Sequence, residues 1–258
     1  MGDGFLFYFL IFCLGAICGS FLNVCIFRLP QGQSVVSPRS FCPYCRRPIA
    51  WFDNIPLLSF LLLRGRSRCC RQAIPWRYPL VETLSGILAV ASVYRFGLTP
   101  LALLYFIFLA ALLVITFIDL DHQIIPDEVS LPGILVGLLA AALRTDLSLR
   151  DAFLGAIVGG GILWLVAVGY QRLTGREGMG GGDIKLLAMI GAFLGWRAIP
   201  FIILLSALVG SLVGILFMLA KGKASGRLAI PYGPFLALAA VLWVFWGEKI
   251  ILFYLTTF

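Results

Sequence analysis

Apolar residues run along this chain in long blocks, without the strict alternation of half-buried strands. Eight stretches approach the ~20 residues that carry a helix across a bilayer: 5–27, 79–94, 100–118, 124–143, 152–171, 184–196, 199–219 and 230–246. Polar positions are confined to what separates them, and the one long polar interval is 29–78. The pattern predicts an all-α polytopic membrane protein of about eight transmembrane helices, with a Cys-containing loop domain after the first. Three parts are expected: a first transmembrane helix (1–28), a cysteine-rich domain (29–78) and a helical membrane domain (79–258). Segments 184–196 and 131–143 are short and have aspartates at or just before their starts. Helices of that length are tilted little, re-entrant, or packed where water reaches in. No removable signal peptide is expected, because the first stretch lacks a basic start and a small-residue cleavage site.

Composition agrees with the pattern. Apolar residues make up 61% of the chain and charged residues 12%, against roughly 45–50% and 25% in soluble domains. A soluble globular enzyme and a disordered chain are both excluded. The single histidine, His122, rules out a His-rich zinc hydrolase and an HExxH metalloprotease, and no GxSxG elbow occurs. Carboxylates and cysteines remain as candidate workers.

Charge then orients the spans. In the eight-span scheme, 15 of the 20 Lys and Arg residues fall on one side: nine arginines from Arg28 to Arg77, then Arg172, Arg176, Lys185, Lys221, Lys223 and Arg227. Basic loops stay cytoplasmic, so both termini are expected outside and 29–78 inside. The net charge of +8 follows from topology and attraction to anionic lipid. No nucleic-acid partner is expected.

The polar interval holds Cys42-Pro43-Tyr44-Cys45 and then Cys69-Cys70. A CPxC turn followed by a second cysteine pair is the pattern of a tetrahedral zinc site, and a reducing compartment favours metal over disulfide. A matching second CxxC would need cysteine at 67, where Ser67 stands. Cys42, Cys45 and Cys70 are the preferred ligands. Cys69 or a non-cysteine group supplies the fourth, although adjacency with Cys70 makes joint ligation awkward. Cys13, Cys18 and Cys25 read as packing residues of the first span.

Carboxylates beside membrane segments need a reason, since charge in a bilayer is costly. One group lies in Ile118-Asp119-Leu120-Asp121-His122 through Pro126-Asp127, the other in Gly178-Met179-Gly180-Gly181-Gly182-Asp183-Ile184-Lys185. Asp119 and Asp183 fall at the same membrane edge. Gly180, Gly181 and Gly182 are expected to supply dihedrals other residues avoid, presenting Asp183 at a helix start. Two facing carboxylates share a proton, one activating water while the other protonates an amide. Asp121 is the alternative to Asp119, since residues two apart on a helix face differently. Asp127 reads as an N-cap and Lys185 as a snorkelling anchor. Glu82 stays open between an arginine partner and a substrate contact.

Taken together and in order, these residues resemble the bacterial type IV prepilin peptidases, members of the GxGD intramembrane aspartyl proteases. The likeness runs through Gly19-Ser20-Phe21-Leu22-Asn23-Val24, Arg28-Leu29-Pro30, the CPxC, Asp53 to Ser59, Leu63 to Arg66, Arg77 to Glu82, both aspartate segments and Pro231 to Phe235. The resemblance implies a bifunctional enzyme of the bacterial plasma (inner) membrane. It cuts the basic leader from type IV prepilins and type II secretion pseudopilins, after a glycine, at the cytoplasmic face. It then methylates the new N-terminal residue with S-adenosylmethionine. Asp119 and Asp183 are the implied catalytic pair. The family has two CxxC pairs in this loop, and Ser67 departs from that. Two rivals remain: a peptidase without methyltransferase activity, and a proton-coupled transporter using its intramembrane aspartates.

Overall fold

The computed structural model describes residues 2–175, 178–221 and 230–257. Arg176, Lys223 and Arg227, used above for orientation, lie outside the described residues. Among the described residues the structure is helical, and pairing of extended backbone is limited to two isolated bridges, Phe41 with Pro48 and Arg66 with Ala73. An α-helix stands at each of the eight predicted stretches. Four helical segments are long and apolar enough to cross a membrane: Gly4–Gln31, Pro100–His122, Leu149–Thr174 and Trp196–Ala220. The segment Gly233–Gly247 is apolar but shorter.

The chain divides into two units, Met1–Val114 and Ile115–Phe258. In the first, α1 (Gly2–Arg28) packs antiparallel against α3 (Arg77–Phe96), with the short α2 (Leu58–Leu62) in the loop between. Small residues let the two backbones meet, as in membrane helix pairs that lack a hydrophobic drive to associate. A Cβ on Gly19 would lie 2.7 Å from the Glu82 Cα. The Ser85 hydroxyl donates to the Gly15 carbonyl at 2.7 Å. The boundary falls within α4 (Pro100–His122).

The second unit continues with α5 (Asp127–Leu143), α6 (Leu149–Thr174), α7 (Gly181–Leu194), α8 (Ile199–Lys221) and α9 (Gly233–Thr257). Ser148 caps α6 by accepting from the Asp151 N–H at 3.0 Å, and Gly175 closes it in a left-handed conformation. At 1.5 Å per residue, α7 is ~21 Å long, short of the ~30 Å hydrocarbon layer. Its shortness is matched by its surroundings. Leu186, Leu187, Met189, Ile190, Gly191, Ala192 and Phe193 are all buried, as expected of a helix apolar on every side. Glycines on its neighbours make room for it. Gly133 and Gly137 of α5 face Met189 and Phe193, and Gly159 of α6 faces the Leu187 carbonyl. Gly155 and Gly191 meet backbone to backbone, and a Cβ on either would collide with the other's carbonyl oxygen.

That contact is testable. Gly191→Val should force α6 and α7 apart, and overpacking of this kind costs about 1–3 kcal/mol. The thermal unfolding midpoint of the purified protein should fall. Gly161→Ala, where an added Cβ meets open space, should leave it in place. Equal midpoints for the two variants would contradict the packing described.

Candidate functional site

Two clusters of reactive side chains stand out, one in each unit. In the second unit, Asp119 lies in the last turn of α4 and is buried, 5% exposed. Asp121 is exposed. Two residues of α-helix turn through about 200°, so only one of the pair is buried, and that one is Asp119. Asp119 Oδ2 accepts the backbone N–H of Gly233, the first residue of α9, at 2.9 Å. A Cβ at 233 would sit 2.7 Å from that oxygen, so only glycine lets the amide come this close.

Asp183 lies in the first turn of α7. Gly180 is the N-cap, and the Asp183 N–H donates to the Gly180 carbonyl at 3.2 Å. The Asp183 side chain is therefore not a cap. Ile125 joins the two segments: a Cβ at 182, next to Asp183, would lie 2.8 Å from its Cβ, and one at 233 would meet both Ile125 and Asp119 Oδ2. The Tyr232 hydroxyl, bonded to Ser206 Oγ at 2.7 Å, also feels Asp183. Two carboxylates from helices far apart in sequence thus converge, with a backbone amide fixing one and a hydroxyl pair near the other.

Several expectations need correction. The glycine run does not adopt left-handed dihedrals: Gly180 has φ −71° and ψ 143°, and neither Gly181 nor Gly182 has positive φ. Gly182 is needed for space, because a Cβ there would lie 2.8 Å from Ile125 Cβ. Asp127 is no N-cap. Pro126 takes that position, and Asp127 receives both its hydrogen bonds from Lys185 Nζ at 2.7 Å. Lys185 is accordingly a tie between α7 and the start of α5, not a snorkelling anchor. Both side chains are partly exposed, so the pair adds little stability and serves to set register. Gly233, Tyr232 and Ser206 were not singled out individually from residue chemistry. The Pro231-to-Phe235 segment signals Tyr232 and Gly233, and nothing in the sequence pattern signals Ser206.

In the first unit, Cys42, Cys45, Cys69 and Cys70 bring their sulfurs within 4.8 Å of one another. Two loops of the same design carry them. In the first, Cys42 N donates to the Arg47 carbonyl, Arg46 N to that of Cys42, and Ile49 N to that of Ser40. In the second, Ser67 N donates to Gln72, Arg71 N to Ser67, and Ile74 N to Gly65. Arg46 and Arg71 both have positive φ, 57° and 60°. The offset is 25 residues, so Ser67 occupies the place of Cys42 and Cys70 that of Cys45. Ser67 Oγ lies 3.1 Å from Cys70 Sγ, and Cys69 supplies the missing sulfur from outside the repeat. Adjacency proves no obstacle: Cys69 and Cys70 hold their sulfurs 4.0 Å apart.

The donor set suits a metal. Burial disfavours a Cys42 thiolate, but the N–H groups of Cys45 and Tyr44 and the thiols of Cys69 and Cys70 outweigh it and bring the group down to about 6. Hydrogen bonding to Cys45, followed by burial, pushes Cys69 up to about 12. Zinc–sulfur bonds of about 2.3 Å imply tetrahedral edges of about 3.8 Å. The separations here are 3.7 Å for Cys42 to Cys70, 4.0 Å for Cys69 to Cys70 and 3.2 Å for Cys45 to Cys69. These are too long for S–S bonds and fit a four-thiolate site.

Among the described residues no arginine pairs with Glu82. Its carboxylate accepts the Leu57 N–H at 2.8 Å and the Ser20 hydroxyl. Leu57 has φ 61°, so Glu82 holds a strained turn of the loop against α3.

Comparison with known proteins follows the same division. Residues 13–96 match the model of the bacterial peptidase A24 N-terminal domain, and residues 106–215 that of the type IV leader peptidase family. A prepilin leader peptidase/N-methyltransferase of Aeromonas hydrophila is 42% identical, over 100% of this chain and 97% of its own length. One from Pseudomonas aeruginosa is 39% identical over 94% and 91%. One from Myxococcus xanthus is 46% identical over 87% and 67%. No solved structure matches. With relatives this similar along the whole chain, the protein belongs to the type IV prepilin leader peptidase family.

Proposed function

We propose that this protein removes the basic leader of type IV prepilins and type II secretion pseudopilins at the cytoplasmic face of the bacterial inner membrane, and then N-methylates the new N-terminus. The observation that carries the peptidase reading is the convergence of Asp119 and Asp183. Two carboxylates serving one scissile bond resist double ionisation, so one keeps a proton while the other is ionised. The ionised member takes a proton from water as the water oxygen attacks the scissile carbonyl. The protonated member gives its proton to the departing nitrogen, and the peptide C–N bond breaks. The Gly233 amide holds Asp119 in place, so the geometry precedes substrate. Lys185, paired with Asp127, fixes α7 rather than touching the pair. The transporter alternative has no support beyond intramembrane carboxylates, for which proteolysis accounts.

The eight helices at the eight apolar stretches support an eight-span arrangement with both termini outside and 29–78 in the cytoplasm. The arginine asymmetry gives its direction. A reporter inserted after residue 50 should behave as cytoplasmic. Periplasmic behaviour would invert the scheme.

Cys42, Cys45, Cys69 and Cys70 would hold zinc as four thiolates, and the ion would supply structural cross-linking of two loops whose own apolar contacts are few. Purified, reduced protein should carry about one equivalent of zinc. Cys69→Ser should lose most of it, whereas Ser67→Ala should keep it. Zinc retained in Cys69→Ser would reassign the fourth ligand.

Catalysis is tested by co-expression with a prepilin. Asp119→Asn and Asp183→Asn should each slow leader removal by about 10²–10⁴-fold or more. The double variant should be no worse than either single one, because the two act as a unit. Asp121→Asn should retain much of the activity. Cleavage at the wild-type rate by either catalytic variant would remove the assignment, and assay of methyl incorporation in the same membranes separates a bifunctional enzyme from a bare peptidase.

A further inference from the structure

A cavity of about 340 Å³ lies within the first unit, between the cysteine loop and the facing ends of α1 and α3. Its volume sits at the low end of small-molecule pockets, roughly 300–1,000 Å³. That suits one nucleoside-sized molecule better than a length of polypeptide. Phe41, Tyr44, Phe52 and Phe60 contribute aromatic walls, and such rings stack on planar bases and attract positive charge.

At the helical end one buried acceptor of the lining is left over. Asn23 is 3% exposed, and its Nδ2 donates to the Tyr78 carbonyl at 3.1 Å. Its Oδ1 is buried and has no hydrogen-bond partner. Buried polar atoms are nearly always paired, and an orphan costs about 1–3 kcal/mol. Glu82, 8% exposed, also lines the cavity. It accepts from Leu57 and Ser20 but has no cationic partner. The cations nearby are committed. The Arg28 guanidinium is spent on the carbonyls of Ser34, Pro38 and Arg39, and Arg68 is bonded to Asp53. A buried carboxylate beside an orphaned carbonyl oxygen calls for a positively charged guest.

We infer that this cavity binds the methyl donor, S-adenosylmethionine, with its adenosyl body against the aromatic walls and its charged end toward Asn23 and Glu82. The inference rests on the methyltransferase reading above and locates it in the first unit. The alternative occupant of like charge is the N-terminal ammonium of the processed pilin. An extended segment behind that amine needs more room than the cavity offers.

The test is S-adenosylmethionine binding to the full-length protein in detergent, by isothermal titration, for wild type, Glu82→Gln and Asn23→Leu. Glutamine keeps an acceptor for Leu57 and removes the charge. Leucine keeps the volume and removes the orphan oxygen. Each should weaken binding at least tenfold while gel-filtration elution and helical circular dichroism match wild type. Wild-type affinity in both folded variants overturns the site. So does a loss confined to binding of a peptide that begins with phenylalanine, which would give the cavity to the amine. If both variants unfold, competition decides: wild type protected from tryptic cleavage in 29–78 by S-adenosylmethionine supports the site, and no protection overturns it. Failure of wild type to incorporate methyl groups would remove the methyltransferase reading itself. Methyl incorporation by wild type together with unaltered donor binding in the variants would remove only the placement.

Discussion

A polar group among apolar helices must find a partner, because neither lipid nor packed side chains will hydrogen-bond it. In the second unit this requirement falls on Asp119, buried in α4, and the Gly233 amide meets it. Meeting it fixes where α9 begins. It also demands a residue without a side chain at that point. Asp183 depends on a different close fit, that of α7 among glycines of α5 and α6. A helix of 14 residues is too short to define its depth by length. Backbone contact with Gly155 and the Lys185–Asp127 tie define it instead. Asp119 is thus held by a main-chain amide, and the start of α7 that carries Asp183 is held by a backbone contact and one side-chain pair.

The first unit solves a different problem. Few of its loop's apolar side chains are buried, and two similar turns 25 residues apart bring sulfur to a common point. The repeat is imperfect, and the imperfection is compensated within two residues. Ser67 keeps the turn's hydrogen bonds and contacts Cys70, while Cys69 brings the fourth sulfur to the cluster. Shape and chemistry, joined in Cys42, are divided between two residues in the second turn.

Much of this was legible in the sequence. The helices at the eight apolar stretches end where the sequence offers a stop: Gly97, Gly175 and Gly195 close α3, α6 and α7 with positive φ, and Pro126 caps the start of α5. Which of Asp119 and Asp121 is buried depends on helix phase, and phase depends on which face of α4 packs. Asp127 and Lys185 were misread because a bond across 58 residues leaves no local trace, so a local explanation was supplied for each. The glycines before Asp183 were read as dihedral devices, although two of the three positions carry no demand the structure shows and the third is about space. Cys69 was visible in principle. Aligning Phe41–Ala50 with Arg66–Pro75 matches Cys45 to Cys70, Arg46 to Arg71 and Ile49 to Ile74, and leaves Cys69 as the sulfur without a counterpart.

The bond from Gly233 to Asp119 has a consequence for how such a site can change over generations. A main-chain donor is not encoded by any particular side chain, so drift in residue identity elsewhere leaves it in place. Only proline removes the N–H, and any other replacement pushes the helix start away through its Cβ. The site therefore has no intermediate grades at this position. It is either kept whole or lost in one step, and gradual retuning of Asp119 has to come from other neighbours.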